Sequence, residues 1–564
     1  MSVASMLKAN FLLGVAGGLE YVKFNRAASN PLKYEEKTLR GILTYAKDSA
    51  FGRDHGFSWI LQARSAEELF RRYEEKVPAN EYSDLEPYIE RSKHGEADVL
   101  FPGKPLLYAT TSGTTSRPKW IPITQKYFKD VYGKRSRLWL YVLIKHRPKI
   151  FLGRGFSIVG KTLEGYAPDG TVFGSVSGFA QGNTPGFVRA LYTNPPCVYA
   201  IKDYTARYYT LMRMGIEHDV TLIVSVNPST MVELQKNVGQ FFEQYVNDIE
   251  NGTLSKDVDI EPEIRAELEP LFRPNPARAE ELRAIKAKYG DSLTLKHYWP
   301  NLQVITTWRC ANTRIYLDEV REMLPECAFW HEFSYYSSEC ACGMVMDGSD
   351  ETTPSVHHHF IEFVEESEVG KPDARFLRVH ELEVGKRYCP YVTTYSGLYR
   401  YCMNDLVEVG KLYRRTPSFH LIGKAGGVVS LTGEKLSESQ FIEAVKRAQK
   451  ATGLKSPFHI GFLDLRDRGY HFFYEFPQAL SAEALSSFND AVDSALKDLN
   501  IEYASKRDSL RLGSPVPHIL EENAFEKFKE VMMKEEGARD GQFKLNLLSQ
   551  DDMRYAKFNN LILK

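Results

Sequence analysis

Residues 108–124 read YATTSGTTSRPKWIPIT, packing Ser and Thr around one glycine before a Pro-Lys pair. Hydroxyls at Thr110, Thr111, Ser112, Thr114 and Thr115 surround Gly113, where the missing side chain lets a ligand approach the backbone. Hydroxyls, backbone N–H groups and the charge of Lys119 together suit a phosphate chain. A polar surface turn has the same composition. A second stretch, GFSIVGKT at residues 155–162, has the letters of a Walker loop. Such a loop needs a helix directly after it, so that the helix N-terminus meets the phosphates. Here Phe156, Ile158 and Val159 are strand-like, and Gly165, Pro168 and Gly170 oppose a following helix. The first stretch is preferred, and a P-loop NTPase acting through residues 155–162 is kept as the lesser alternative.

Composition bounds the rest. With 564 residues, 43% hydrophobic and 26% charged, the chain is expected to form two or three globular domains. A formal net charge of -1 gives no basis for broad binding to nucleic acid or anionic lipid. Seven cysteines do not make a disulfide scaffold, which points to a reducing, cytoplasmic setting. The apolar patch at residues 11–16 is interrupted by Glu20 and Lys23, short of the roughly 20 residues that span a bilayer. An amphipathic helix packed on the body is expected there, in preference to a signal peptide or stable membrane insertion.

Along the chain, residues 30–50 read as a capped helix with Pro31 near its start and Leu39, Ile42, Leu43 and Ala46 on one face. Residues 220–226 form the clearest strand, and residues 277–289 an exposed helix entered from Pro274 and Pro276. Residues 304–307, 360–364, 391–394 and 406–409 read as strands of one large α/β core. Residues 410–417 read as a connector, followed by a smaller α+β pattern with strands at 419–422, 459–463 and 470–476 and helices at 437–450 and 482–497. The expected boundaries are 1–412 and 413–564.

The opening stretch resembles the phosphate loop of adenylate-forming enzymes, roughly [ST]SGTTGxPK, with Ser116 for the second glycine and Arg117 in the variable slot. Tyr335-Tyr336-Ser337-Ser338-Glu339 resembles the YGxTE element of that superfamily, and Asp405 in RYCMND stands where it has a ribose-binding carboxylate. SYYSSE, TTYSGLYRYCMNDLVEV and GARDGQFK narrow the resemblance to the auxin-responsive acyl-acid amido synthetase family, over about residues 30–548. The fold it implies is α/β, a large amino-terminal adenylate-forming domain with a smaller α+β carboxy-terminal domain.

The resemblance implies two steps: a small carboxylic acid attacks the α-phosphate of ATP, then an amino acid or other amine displaces AMP. Thr111, Ser112, Gly113, Thr114, Thr115 and Lys119 would hold phosphates, Tyr335 and Ser338 would lie along the nucleotide, and Glu339 would ligate Mg²⁺. Asp405 would accept from the ribose, and Arg400 is either a nucleotide contact or a core residue. Lys544 in GQFK and Lys435 in LTGEKLSE would act on the reacting phosphate. A coenzyme A or alcohol acceptor remains open, because these motifs handle ATP alone. The resemblance sets no requirement for an oligomer, so a monomer is expected.

Three departures bear on substrate choice. The loop is one residue shorter than the plant-like SSGTSxGKPK, Asn404 replaces a glycine, and Lys424 replaces an arginine. His357-His358-His359 is expected on a strand with alternating side chains, which disfavours a metal, although His357 and His359 are candidates to touch substrate. Cys327, Cys340 and Cys342 lack paired zinc spacing.

Overall fold

The computed structural model describes residues 3–111, 119–159, 163–310, 313, 316–424, 428–524, 527–528, 547–550 and 552–563. It divides into two compact units, Met1–Thr110 with Trp120–Gly423, and Thr111–Lys119 with Lys424–Lys564. Residues 413–423, expected in the small domain, fall within the larger unit.

The larger unit opens with the helix Val3–Ser29, whose Leu13, Gly17, Glu20, Phe24, Ala27 and Ala28 are buried at helical spacing. A Cβ on Gly17 would overlap the Arg137 carbonyl of the helix Gly133–His146, so glycine permits this close crossing. The opposite face leaves Phe11, Val15, Leu19 and Val22 exposed. No helix among the described residues is long and apolar enough to cross a membrane. In the next helix, Pro31–Ala46, the expected face of Leu39, Ile42, Leu43 and Ala46 is buried.

Two of this unit's sheets position the candidate site. The first is parallel, ordered Arg154–Ile158, Val220–Ser225, Val304–Thr307, Phe329–Glu332. Its two central strands are buried at every residue, which is why they read as unbroken apolar or β-branched runs. Gly155 to Ile158 lie in this ladder, registered against Leu222 to Ser225, so their backbone is committed to the sheet and cannot wrap a phosphate. Downstream, Gly165–Tyr166 is a short strand and not the helix that a Walker loop requires. Lys161 and Thr162 lie outside the described residues.

The second sheet is ordered Leu377–Arg378, Phe360–Glu365, Arg387–Thr393, Asp405–Tyr413, Thr416–Lys424, with Tyr401–Cys402 also on Arg387–Thr393. The expected connector at 410–417 is instead two strand ends around Arg414, whose φ of 60° makes the tight turn. The 412/413 boundary thus cuts through a strand. Lys411 lies on the first strand of this hairpin, and Arg414 and Arg415 form its exposed turn.

The smaller unit is α+β, with the sheet Val516–Leu520, Gly469–Glu475, His459–Asp464, Leu548–Ser549 and the helices Glu438–Thr452 and Ala482–Leu499. Ser437 and Gln440 make a capping box at the start of the first helix, and Gly453 ends it at φ 74°.

Candidate active site

The stretch Tyr335 to Glu339 leaves the carboxyl end of the strand Phe329–Glu332, where open α/β sheets bind ligands. Ser334, at φ 77°, turns the chain, and its hydroxyl accepts from Val345 N at 2.9 Å. Tyr335 is then held at three points. Its N–H donates to Thr352 Oγ1 at 2.8 Å, its ring meets the Phe419 ring edge-on at 5.7 Å, and its phenol donates to Asp405 Oδ2 at 2.5 Å. Thr352 and Phe419 exchange backbone hydrogen bonds of 2.7 and 3.0 Å, so the clamp is itself tied to the second sheet. Burial first, and then the Asp405 charge, hold the Tyr335 phenol well above its ordinary value of 10, so it stays a donor.

A tight turn follows. Ser337 N donates to Cys340 O at 3.0 Å, Cys340 N donates to Ser337 Oγ at 3.3 Å, and Tyr336 bridges Ala341. Ala341 N donates to the buried Tyr127 hydroxyl at 3.0 Å. Glu339, within this turn, is buried, and Ser338 is half-buried.

Asp405 opens the strand Asp405–Tyr413 and is buried. Asn404 before it has φ 50°. This is the left-handed region that glycine adopts freely and asparagine tolerates best among other residues, so the departure at this position keeps the turn. Tyr335 and Asp405, 70 positions apart, are thereby brought into contact, with Glu339 four residues beyond Tyr335.

Arg400 is not in this group. Its Nε donates to Glu362 Oε2 at 3.1 Å, its Nη1 donates to Val77 O at 2.8 Å, and its guanidinium lies 4.0 Å from the Phe376 ring centroid. Arg378 Nη1 takes the other Glu362 oxygen at 2.8 Å. Arg400 is therefore the core residue of the two readings. Leu398, Tyr399 and Tyr401 beside it are buried too, so LYRY builds the interior.

In the smaller unit, Lys435 is half-buried at φ 50°. Its neighbour Glu434, which motif reading passed over, organises the loop. The buried Glu434 carboxylate accepts Leu431 N at 2.6 Å, Thr432 N at 2.8 Å, Thr432 Oγ1 at 3.1 Å and the Tyr470 phenol at 2.5 Å. Asn500 Nδ2 donates to the Glu434 carbonyl at 2.9 Å and the Lys435 carbonyl at 3.3 Å. Ser112, Gly113, Thr114, Thr115 and Lys544 lie outside the described residues, as does the Thr111 side chain. Lys119 is half-buried and begins the strand Lys119–Ile123.

The histidine run departs from expectation. His357 and His358 lie in a turn, with His358 N and His359 N both donating to Ser355 O, and the strand starts only at Phe360. Burial drives His359 to about 3, so its imidazole is neutral. Among the described residues, the one group of three or more His, Cys, Asp or Glu with donor atoms close enough to share an ion is Asp464, Asp467 and His471, and Arg466 already forks onto Asp464.

Comparison with known proteins gives this arrangement a family. Residues 20–329 match the GH3 family N-terminal domain, 352–424 its central domain and 439–553 its C-terminal domain. The first match alone spans more than half of the chain, which belongs to the GH3 family. The chain is 26% identical over 459 residues to an indole-3-acetic acid-amido synthetase of Oryza sativa subsp. indica, covering 77% of this chain and 73% of that protein. It is 23% identical over 555 residues to a jasmonoyl–L-amino acid synthetase of Oryza sativa subsp. japonica, covering 92% of each. The fold matches that of an acyl acid amido synthetase solved with 2,4-DB, with a TM-score of 0.64, 18% identity and coverage of 97% of this chain and 96% of that one. The family's central domain ends at residue 424, beside the break between the two units.

Proposed function

We propose that the chain is an ATP-dependent, AMP-forming acyl-acid amido synthetase that joins a small carboxylic acid to an amino acid or other amine. Family membership supports this reading, as do relatives named as an indole-3-acetic acid-amido synthetase and a jasmonoyl–L-amino acid synthetase. The observation that carries it at the site is the hydrogen bond from Tyr335 to Asp405. It anchors a buried carboxylate beside an aromatic ring, a pairing suited to a ribose and its base.

ATP is a co-substrate in this reading. Asp405 Oδ2 is bound to Tyr335, and the carboxylate has further acceptor capacity for ribose hydroxyls. Glu339 is a hard oxygen donor of the kind Mg²⁺ takes, so the residues present fit the ion. When bound, Mg²⁺ would neutralise phosphate charge during transfer. Thr111, Ser112, Gly113, Thr114, Thr115 and Lys119 would hold the phosphates, with Ser338 along the nucleotide. Lys435, presented by the Glu434 loop, and Lys544 would stabilise charge at the α-phosphate. The reading is of a cytoplasmic protein, supported by seven free cysteines, and of a monomer, because the resemblance sets no requirement for an oligomer.

The test supplies the purified chain with ATP, Mg²⁺, a panel of aryl, indolyl and fatty acids, and mixed amino acids. An amide product formed with one AMP per turnover is expected. ADP with phosphate, or a product formed only with coenzyme A or an alcohol, would overturn the reading.

A further inference from the structure

Two cysteines sit on the strands that deliver Asp405. Cys389 lies on Arg387–Thr393 and Cys402 on Tyr401–Cys402, which pair with Tyr391 opposite Cys402. Cys389 precedes Tyr391 by two residues, so it shares the face of Cys402 across the ladder. The two Sγ atoms are 3.8 Å apart. A disulfide requires them to close by roughly 1.8 Å, and because the two cysteines are diagonal neighbours across the ladder, that closure moves backbone as well as side chains. Cys389 is fully buried, whereas Cys402 is half-buried and reachable by a small oxidant.

We propose that Cys389 and Cys402 are a reversible dithiol–disulfide modification site, oxidised by hydrogen peroxide, whose closure displaces the turn that presents Asp405. The link to the turn is direct. Asn404 and Asp405 follow Cys402 by two and three residues, and the strand of Cys389 pairs with the strand that Asp405 opens. Pulling the sulfurs together draws on the chain that carries Asp405, and Asn404 between Cys402 and Asp405 is in the left-handed region, with little freedom to compensate.

The chemistry divides between the two sulfurs. Cys402 is the attacking thiol. Its hydrogen bond with Cys389, followed by those from Tyr391 and the Asn404 backbone, brings it down to about 7 against burial. Its thiolate attacks one peroxide oxygen, the O–O bond breaks, and a sulfenic acid forms with hydroxide, which takes up the proton lost by the thiol to become water. The Cys389 thiol then attacks the Cys402 sulfur, the S–S bond forms, and the sulfenic oxygen leaves as a second water with the thiol proton. Two thiols and one peroxide thus give one disulfide and two waters. An added dithiol reverses the step by exchange, taking the oxidation onto itself.

The full chain would be treated with hydrogen peroxide, alkylated and digested without reductant. Trypsin cleaves after Arg387, Arg400 and Lys411, so the two cysteines fall on separate adjoining peptides, 388–400 and 401–411. A linked pair that dithiothreitol separates is expected. Cys389→Ser is expected to stop at a Cys402 sulfenic acid that dimedone captures. Absence of the linked pair, or an equal dimedone yield with Cys389 present, would overturn the site. The effect on Asp405 rests on the proposed nucleotide site and is read separately, as a several-fold rise in the KM for ATP that dithiothreitol reverses. An unchanged KM with the linked pair formed would overturn the coupling to Asp405 alone.

Discussion

The Tyr335 phenol donates to Asp405 Oδ2 at 2.5 Å across 70 positions of sequence, joining the turn after the parallel sheet to the first residue of an antiparallel strand. Tyr335→Phe removes a hydrogen bond to a charged group, a loss of about 1.5–3 kcal/mol. The expected outcome is a KM for ATP raised by roughly 10- to 100-fold, with kcat less affected. Steady-state kinetics against ATP would check it, and an unchanged KM would remove Tyr335 from nucleotide positioning.

Arg400 is expected to matter for stability and not for binding. Removing it leaves Glu362, buried and shared with Arg378, short of one partner. Breaking a buried pair in this way costs about 3–5 kcal/mol. Denaturant unfolding of Arg400→Met should show that loss, while the folded fraction keeps the parent KM for ATP.

Glu434 and Lys435 should separate in the opposite sense. Glu434→Ala loses four hydrogen bonds to a buried carboxylate and is expected to cost at least about 3 kcal/mol. Lys435→Ala, half-exposed, should change stability by less than about 0.5 kcal/mol. It should still slow acid-dependent pyrophosphate release by about 10²- to 10³-fold. Chemical denaturation paired with single-turnover kinetics would distinguish the two residues.

Much of this was legible in advance, for physical reasons. Strands such as Val304–Thr307 announce themselves as short apolar or β-branched runs, and Pro31–Ala46 through its helical spacing, because burial acts on the local pattern. Tyr335 and Asp405 could be named from motifs, but their contact depends on the clamp of Thr352 and Phe419, which no local pattern encodes. Arg400 was ambiguous because its partner Glu362 lies 38 residues away. Glu434 carried no signal, since an acidic residue in a loop looks solvated until its four donors are seen.

Burial also predicts how stability depends on pH. His359 is depressed to about 3 by burial, so the folded state binds fewer protons than the unfolded one between that value and 6.5. Its contribution is present above pH 6.5 and lost as pH falls toward 3. His359→Gln should lower the slope of stability against pH by about 1.4 kcal/mol per pH unit between roughly pH 4 and 6.

Glu332 acts with the opposite sign to His359 above the carboxylate range. Burial raises it from 4.5 to about 8, so the folded state holds an extra proton and stability falls as pH rises between those values. Glu332→Gln should therefore gain up to about 3 kcal/mol over the parent at pH 7, and little at pH 4. Urea unfolding at both pH values checks the sign.

The most direct test of the central claim is carboxylate-dependent ATP–pyrophosphate exchange, run without any amine over a panel of aromatic, fatty and hydroxy acids. The account predicts exchange with one group of acids, abolished by Asp405→Ala. Release of ADP and phosphate in place of exchange, or exchange undiminished in Asp405→Ala, would contradict it.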